Sequence, residues 1–259
     1  MDVAVVGLDD CVKVVSLFTR SELVTFALPA ACVACVDGDL FVAHRDKPLL
    51  YRYQLHCSVQ TPAKVVLPDK ITALCGAHCG AGFLYAGVAH SLYVWCTKSA
   101  RCLSISARHY QPITRIETDA TFTVTGSDDG FVCVYLTADL LQVHGGAELK
   151  PKCVINAHSL PLTDLTLRSG VVYTASVDFS VKVWDLTPLT NVEQTKQVQQ
   201  GRLLKATIQY PEPIRSIDLD ALCLTLVAAG ESGTIYSSML STMNNIDSKT
   251  DNKMCRKLR

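Results

Sequence analysis

The stretch Thr174-Ala175-Ser176-Val177-Asp178-Phe179-Ser180-Val181-Lys182-Val183-Trp184-Asp185 decides how this chain folds. A small residue, an acidic turn and an alternating run that closes on Trp-Asp read as one β-hairpin. Thr125-Gly126-Ser127-Asp128-Asp129-Gly130-Phe131-Val132-Cys133-Val134-Tyr135-Leu136 repeats the device. Aligning the closing runs places Val15, Tyr53, Trp95, Tyr135, Trp184 and Ser237 at equivalent positions, 38 to 53 residues apart. A period of about 40–45 residues with a Trp-Asp ending marks a β-propeller blade.

Each unit repeats the same order. The turns read Asp9-Asp10, Arg45-Asp46, Ala89-His90, Asp128-Asp129, Val177-Asp178 and Glu231-Ser232. Apolar runs precede them, such as Leu40-Phe41-Val42-Ala43 and Val171-Val172-Tyr173. Between the hairpins, Ile113–Glu117, Leu162–Leu167 and Ile214–Leu219 alternate as half-buried strands do. No long segment has helical periodicity. A hairpin of this kind cannot bury both faces alone, and radial stacking removes that cost. The expected fold is all-β: a WD-repeat β-propeller with six recognisable blade units over residues 1–240. WD rings commonly have seven blades, so the six units read as an incomplete or truncated seven-bladed ring. Residues 241–259 are polar, carry Lys249, Lys253, Arg256, Lys257 and Arg259, and read as a flexible basic tail. Gln142 to Lys152 and Thr187 to Gln200 read as exposed loops that lengthen two of the spacings.

Composition narrows the function classes. The 259 residues are 49% hydrophobic and 19% charged, with a formal net charge of zero. No global bias toward nucleic acid or anionic membrane follows. The start Met1-Asp2-Val3 has no basic region of the secretory kind, and Asp9-Asp10 interrupt the first apolar stretch. Ile71 to Thr97 holds no Lys, Arg, Asp or Glu and is long enough to span a bilayer. Its four glycines and two histidines instead mark strands around a turn. Twelve cysteines in a chain of this size, many inside strand-like runs, read as reduced thiols acting as small apolar residues.

Four side chains of the sharpest repeat invite a chemical reading. His158, Thr174, Asp178 and Trp184 stand in the order of the WD tetrad. There the Asp accepts from the His, the His meets the hydroxyl, and the hydroxyl meets the indole N–H. The same types could form a Ser/Thr-His-Asp nucleophile set. The tetrad is buried between strands and lacks an oxyanion site, so the structural role is favoured. The preceding blade offers a partial set, His109, Thr125, Asp129 and Tyr135. Blades one, two and six lack most of these residues and are expected to rely on packing. Cys32-x-x-Cys35 has ligand spacing, but a strand splits such a pair between its faces. Cys75, His78 and Cys79 share a Gly-rich loop without an apparent fourth ligand. Gly76 to Gly82 lacks the Gly-Lys-Ser/Thr ending of a phosphate loop. No catalytic residue, metal or cofactor is expected.

More specific wording lies between Leu84 and Leu240. Tyr85-Ala86-Gly87-Val88-Ala89-His90-Ser91-Leu92-Tyr93-Val94-Trp95 is followed by His109-Tyr110-Gln111-Pro112-Ile113-Thr114. Then come His158-Ser159-Leu160-Pro161-Leu162-Thr163-Asp164-Leu165, the Thr174 to Trp184 blade, and Gly230-Glu231-Ser232-Gly233-Thr234-Ile235-Tyr236. This succession resembles the WD-repeat protein 18 family. The resemblance implies a non-enzymatic scaffold of a nuclear complex that matures the large ribosomal subunit. Its implied partners are helical-repeat subunits, the pre-60S particle and an AAA ATPase, with indirect rRNA contact and no membrane. The implied location is the nucleus, in nucleolus and nucleoplasm, with the cytoplasm as a further site. A further blade would be expected after Leu240. The competing reading is a substrate receptor of a cullin-type ubiquitin ligase. Those receptors commonly carry Trp-Asp-x-Arg, whereas Trp184-Asp185-Leu186 is followed by Thr187. The Phe/Leu-Arg-Arg-Gly motif of lipid-binding autophagy propellers is absent from the sequence.

Overall fold

A computed structural model of the chain describes residues 3–7, 10–55, 62–77, 82–142, 147–190, 200–220, 222, 225–240 and 256–258. They form two compact units: residues 1–107 with 140–149, and residues 108–139 with 150–259.

The first unit holds three sheets. Sheet 1 is β1 (Val3–Gly7), β2 (Val12–Ser16) and β3 (Glu22–Phe26). Sheet 2 is β4 (Ala30–Val36), β5 (Asp39–His44), β6 (Leu49–Gln54) and β7 (Ala63–Val66). Sheet 3 is β8 (Ile71–Gly76), β9 (Phe83–Val88), β10 (Ser91–Cys96) and β11 (Arg101–Ala107). All of these neighbours pair antiparallel, as tight hairpin connections require.

The second unit repeats the plan. Sheet 4 is β12 (Ile113–Thr118), β13 (Phe122–Ser127) and β14 (Phe131–Leu136). A short helix α1 (Thr137–Gln142) and β15 (Ala147–Glu148) intervene before β16 (Cys153–Asn156) completes it. Sheet 5 is β17 (Leu162–Arg168), β18 (Val171–Ser176), β19 (Ser180–Asp185) and β20 (Leu204–Gln209). Sheet 6 is β21 (Ile214–Leu219), β22 (Thr225–Gly230), β23 (Ile235–Met239) and β24 (Arg256–Leu258). The fold is all-β, built from sheets of the WD-repeat blade kind. Ile71 to Thr97 supplies β8, β9 and β10, and no helix among the described residues is long and apolar enough to cross a membrane.

Packing follows the chain. One apolar cluster lies between sheets 1 and 2, with Val12, Phe26, Leu40 and Tyr53, and another between sheets 2 and 3, with Phe41, Ile71 and Leu84. Sheets 4 and 5 close on Phe122, Val134, Leu162 and Trp184, and sheets 5 and 6 on Ala175, Val181, Ile214 and Leu226. Two-sided burial explains why β5, β9 and β18 read as largely apolar runs. β13 is buried at every residue, and β5, β9 and β18 at every residue after the first.

The structure differs from the sequence expectations in two places, the Gln142 to Lys152 segment and the register of sheet 6. The Gln142 to Lys152 segment is more than a loop. Its β15 adds a parallel fifth strand to sheet 3, pairing Ala147 with Ser104 and Glu148 with Ile105. Ser106 Oγ donates to the Leu149 carbonyl at 2.6 Å and the Leu149 amide to the Ile105 carbonyl, so the segment straps an outer edge that would otherwise stay open. In sheet 6 the register pairs Ala228 with Tyr236, which puts Ser238, not Ser237, at the position of Trp184. Of the segment read as a tail after residue 240, only Arg256–Leu258 lies within the described residues. It forms a strand on β23, pairing Leu258 with Ile235. In the Thr187 to Gln200 loop, Thr187–Leu189 forms a single 3-10 turn and residues 191–199 lie outside the described set.

Candidate functional site

Each inner strand is preceded, four residues earlier, by a side chain that enters the sheet. Reading back from Ala30, Ile71, Ile113, Leu162 and Ile214 gives Phe26, Leu67, His109, His158 and Tyr210, all buried. The polypeptide holds them alike: the His158 amide donates to the Gly130 carbonyl, and the Tyr210 amide to the Phe179 carbonyl. What each meets depends on the hairpin beyond it.

In sheet 5 the structure brings His158, Thr174, Asp178 and Trp184 together. His158 Nδ1 lies 2.9 Å from Asp178 Oδ2 and Nε2 lies 2.8 Å from Thr174 Oγ1. Trp184 Nε1 donates to the same Oγ1 at 3.0 Å. A neutral imidazole protonated on Nδ1 satisfies every group: indole N–H to hydroxyl, hydroxyl to Nε2, Nδ1–H to carboxylate. The register allows it, because Thr174 pairs with Lys182 and Trp184 reaches back diagonally from two residues on. Ser180 is a fifth member that the motif did not announce, donating to Asp178 Oδ1 at 2.6 Å. Burial pushes the His158 imidazole below its ordinary value, against the pull of Asp178. Burial alone would raise the Asp178 carboxyl, but the Ser180 hydroxyl and His158 together hold it below the usual range.

Sheet 4 carries the partial set. His109 Nδ1 is 3.1 Å from Asp129 Oδ2 and Nε2 is 2.8 Å from Thr125 Oγ1. The Tyr110 and Phe131 amides also donate to Asp129. Its carboxyl sits below the ordinary range: burial opposes ionisation, and the His109 and amide bonds outweigh it. Tyr135 is buried at the place of Trp184, two residues beyond Cys133, which pairs with Thr125. Burial, then the Asp129 charge, push the Cys133 thiol up to about 12, although the Tyr135 hydroxyl pulls the other way.

Elsewhere the same place has other chemistry. Phe26 packs against Tyr53 with tilted rings whose centroids are 4.1 Å apart. Leu67 shares an apolar cluster with Trp95. The Tyr210 hydroxyl lies 3.3 Å from Ser238 Oγ, and its ring meets Tyr236 edge-on. The fixed four-residue offset was the signal that would have found Phe26, Leu67 and Tyr210.

Asp164 was missed as well, because an alternating strand makes a polar residue look solvent-facing. Its Oδ1 accepts from Arg115 Nε at 2.8 Å, and its Oδ2 from Ser216 Oγ at 2.6 Å and the Ile217 amide at 2.8 Å. One carboxylate therefore ties β12, β17 and β21. Glu117, nearby on β12, is pushed up to about 7 by burial, which Arg168 opposes and the Asp164 and Asp218 charges assist.

These constellations are hydrogen-bonded inside sheets, and none presents a nucleophile beside converging donors at an open cleft. Cys32 and Cys35 both lie on β4, while His78 and Cys79 fall outside the described residues. Among the described residues no three His, Cys, Asp or Glu side chains group as metal ligands.

No family model matches the chain. It is 26% identical over 207 residues to WD repeat-containing protein 18 of Danio rerio, covering 77% of this chain and 45% of that protein. The chain resembles the WD-repeat protein 18 family. It is likewise 26% identical over 219 residues to pre-rRNA-processing protein IPI3 of Kluyveromyces lactis, covering 80% of this chain and 41% of that one. The chain thus spans less than half the length of these relatives. Among solved structures, the computationally designed Ika8 protein superposes with a TM-score of 0.70 at 17% identity, covering 94% of this chain and 70% of that one. That likeness concerns the fold alone.

Proposed function

We propose that this chain is a non-enzymatic WD-repeat scaffold in ribosome biogenesis, supporting pre-60S assembly and pre-rRNA spacer processing in the nucleus. The observation that carries the reading is the likeness, over about four-fifths of the chain, to proteins named for pre-rRNA processing and to WD repeat-containing protein 18. The hydrogen bonds of the site's side chains, which hold loops to sheets, are compatible with a structural role. Helical-repeat subunits, the pre-60S particle and an AAA ATPase are the proposed partners, with rRNA contacted indirectly. The four residues His158, Thr174, Asp178 and Trp184, and the set His109, Thr125, Asp129 and Tyr135, act as structural tetrads in this proposal.

Affinity purification of the tagged chain from nuclear extract, followed by sucrose-gradient sedimentation, tests it. The chain is expected to co-sediment with large-subunit precursors, and its depletion to raise spacer-containing pre-rRNA. Enrichment of cullin adaptors without any pre-60S factor would overturn the proposal.

A further inference from the structure

In sheets 4, 5 and 6 the turn from the second strand to the third follows one pattern. The turns are Asp128-Asp129-Gly130, Val177-Asp178-Phe179 and Glu231-Ser232-Gly233. The first amide of each donates to a proline carbonyl, that of Pro112, Pro161 and Pro213 in turn. Each ends on a residue in the left-handed region, with φ +78 at Gly130, +68 at Phe179 and +82 at Gly233. Glycine takes that backbone freely, and a bulky side chain does not. Phe179 therefore stands in a strained conformation where its two sister turns have glycine, and its ring is 42% exposed. Its carbonyl accepts from the Tyr210 amide as that of Gly130 accepts from the His158 amide, a bond that glycine makes equally well. The ring is not what the turn requires, and strain of this kind points to a use.

Two more apolar side chains stand out at the same end of these sheets. Tyr110 is 84% exposed, and its amide donates to Asp129. Leu160 is 47% exposed, and its carbonyl lies 3.1 Å from the place of a Cβ on Gly130. Tyr110 and Leu160 thus flank the turn 128–130. On the other side of Leu160, the Ser159 amide donates to Asp178 and the Val177 amide to the Pro161 carbonyl. Leu160 therefore lies between the turn 128–130 and the turn that carries Phe179. Proline and the two tetrads hold this base still, so a partner pays little to order it. Exposed aromatic rings on a rigid base are the usual anchors of an interface.

The charge around these side chains has one sign. The three turns and the loops 108–112, 157–161 and 210–213 hold five carboxylates, Asp128, Asp129, Asp178, Glu212 and Glu231, and one permanent cation, Arg108. Four of the carboxylates are engaged, with His109, His158, Ser232 and Arg215 in turn. Asp128 is exposed and accepts no hydrogen bond from a described residue. Burial and then the Asp129 charge raise its carboxyl, and a cation beside it would relieve that repulsion.

We propose that Tyr110, Leu160 and Phe179 form a docking site for a segment of a second protein, which sets an apolar side chain against Leu160 and Phe179 and a Lys or Arg against Asp128. The acidic surroundings disfavour nucleic acid and anionic membrane. A second copy would bring the same carboxylates to the contact and repel it. The inference does not depend on the ribosomal role.

A displayed library of random peptides, selected on the full chain, is the probe. Binders are expected to carry an apolar residue beside Lys or Arg, and to protect amides at 110–112, 158–161 and 177–180 from exchange. Phe179→Asn should weaken a resynthesised binder about tenfold or more. It should leave the thermal midpoint of the second unit unchanged or higher, because Asn adopts the left-handed backbone more readily. Asp128→Asn should weaken the same binder severalfold at low salt and less at high salt. A selection that yields no binder, or binders without a cation, would overturn the proposal. So would equal binding by Phe179→Asn, or a marked drop in its midpoint, which would make the ring part of the core. Self-association that Phe179→Asn abolishes would assign the surface to a second copy instead.

Discussion

Thr174→Val tests whether the sheet 5 network is a connected chain of hydrogen bonds. The change is nearly isosteric, and it deletes the one oxygen that Trp184 Nε1 and His158 Nε2 share at 3.0 and 2.8 Å. Both nitrogens are buried in the folded chain: the indole N–H becomes an orphan that water cannot reach, and Nε2 loses its donor and is left facing the Thr174 carbonyl at 3.2 Å, an acceptor like itself. An unsatisfied buried polar group costs about 1–3 kcal/mol, which puts the variant about 4 kcal/mol below the parent. Trp184→Phe removes the donor along with its need. It costs only one bond and some packing, about 2 kcal/mol. The double variant should cost less than the sum, because a phenyl ring at this position leaves no indole to orphan. The two tryptophans fall in different units, Trp95 in the first and Trp184 in the second. Urea unfolding must therefore be followed unit by unit. Fluorescence of Trp184 in a Trp95→Phe background reports Thr174→Val, and amide exchange in β18 reports all three variants. A loss under about 1 kcal/mol for Thr174→Val, or strict additivity in the double variant, would refute the shared-oxygen geometry.

Other perturbations have distinct signatures. Glu117 is pushed up to about 7, so the folded chain holds a proton there that the unfolded chain releases above its ordinary value of 4.5. Stability from this group falls as pH rises from about 4.5 to 7, and Glu117→Gln should gain roughly 2 kcal/mol at pH 8 and nothing at pH 4 in urea titrations. His158 has the opposite sign in nearly the same window: its lowered value means that unfolding takes up a proton, so stability falls as pH drops below 6.5. In the Glu117→Gln background this acid-side loss should stand alone, and a flat profile between pH 7 and 5 would contradict it. Gly130 has φ +78, and a Cβ there would collide with the His158 carbonyl oxygen. Gly130→Ala should therefore lower the stability of the second unit by about 2 kcal/mol or more, read from its urea midpoint. Maleimide mapping should label Cys96, whose thiol Ser99 holds below its ordinary value, well before Cys133, which is fully buried and pushed up to about 12.

What the sequence disclosed and what it concealed have physical causes. Thr174 to Asp185 and Thr125 to Leu136 were legible because turn chemistry and two-sided burial leave local marks. The order His158, Thr174, Asp178, Trp184 was legible because one hairpin and its preceding loop contain all four. Register in sheet 6 was not, because Ser237-Ser238 offers no aromatic to anchor the alignment, and only the pairing of Ala228 with Tyr236 fixes it. β15 left no mark, since its pairing with β11 links residues about 43 apart through a polar, Gly-containing stretch. Asp164 looked like an outward residue of an alternating strand. Its three partners come from sheets whose inner strands lie about 50 residues on either side.

The five plug positions show what a blade needs where the full tetrad is missing. Phe26 on Tyr53, Leu67 with Trp95, His158 through Thr174 to Trp184, and Tyr210 to Ser238 all join the start of an inner strand to its sheet. Where the second strand offers Val42, Ala86 or Ala228, a histidine would bury ring nitrogens with no hydroxyl to meet, at a cost of about 1–3 kcal/mol for each. Aromatic or aliphatic plugs avoid that cost and gain by contact instead. Where the second strand offers Thr125 or Thr174, the histidine is satisfied and also fixes an acidic turn, which packing alone does not do. The polar version therefore orders the loops at Tyr110, Ser159 and Phe179, and the apolar version orders only the core. His158→Phe should preserve much of the packing yet release the Asp178 turn. Amide exchange should then rise at Val177 to Ser180 while Leu162 to Arg168 stays protected. Equal loosening of both segments would show that the histidine serves the core and nothing more.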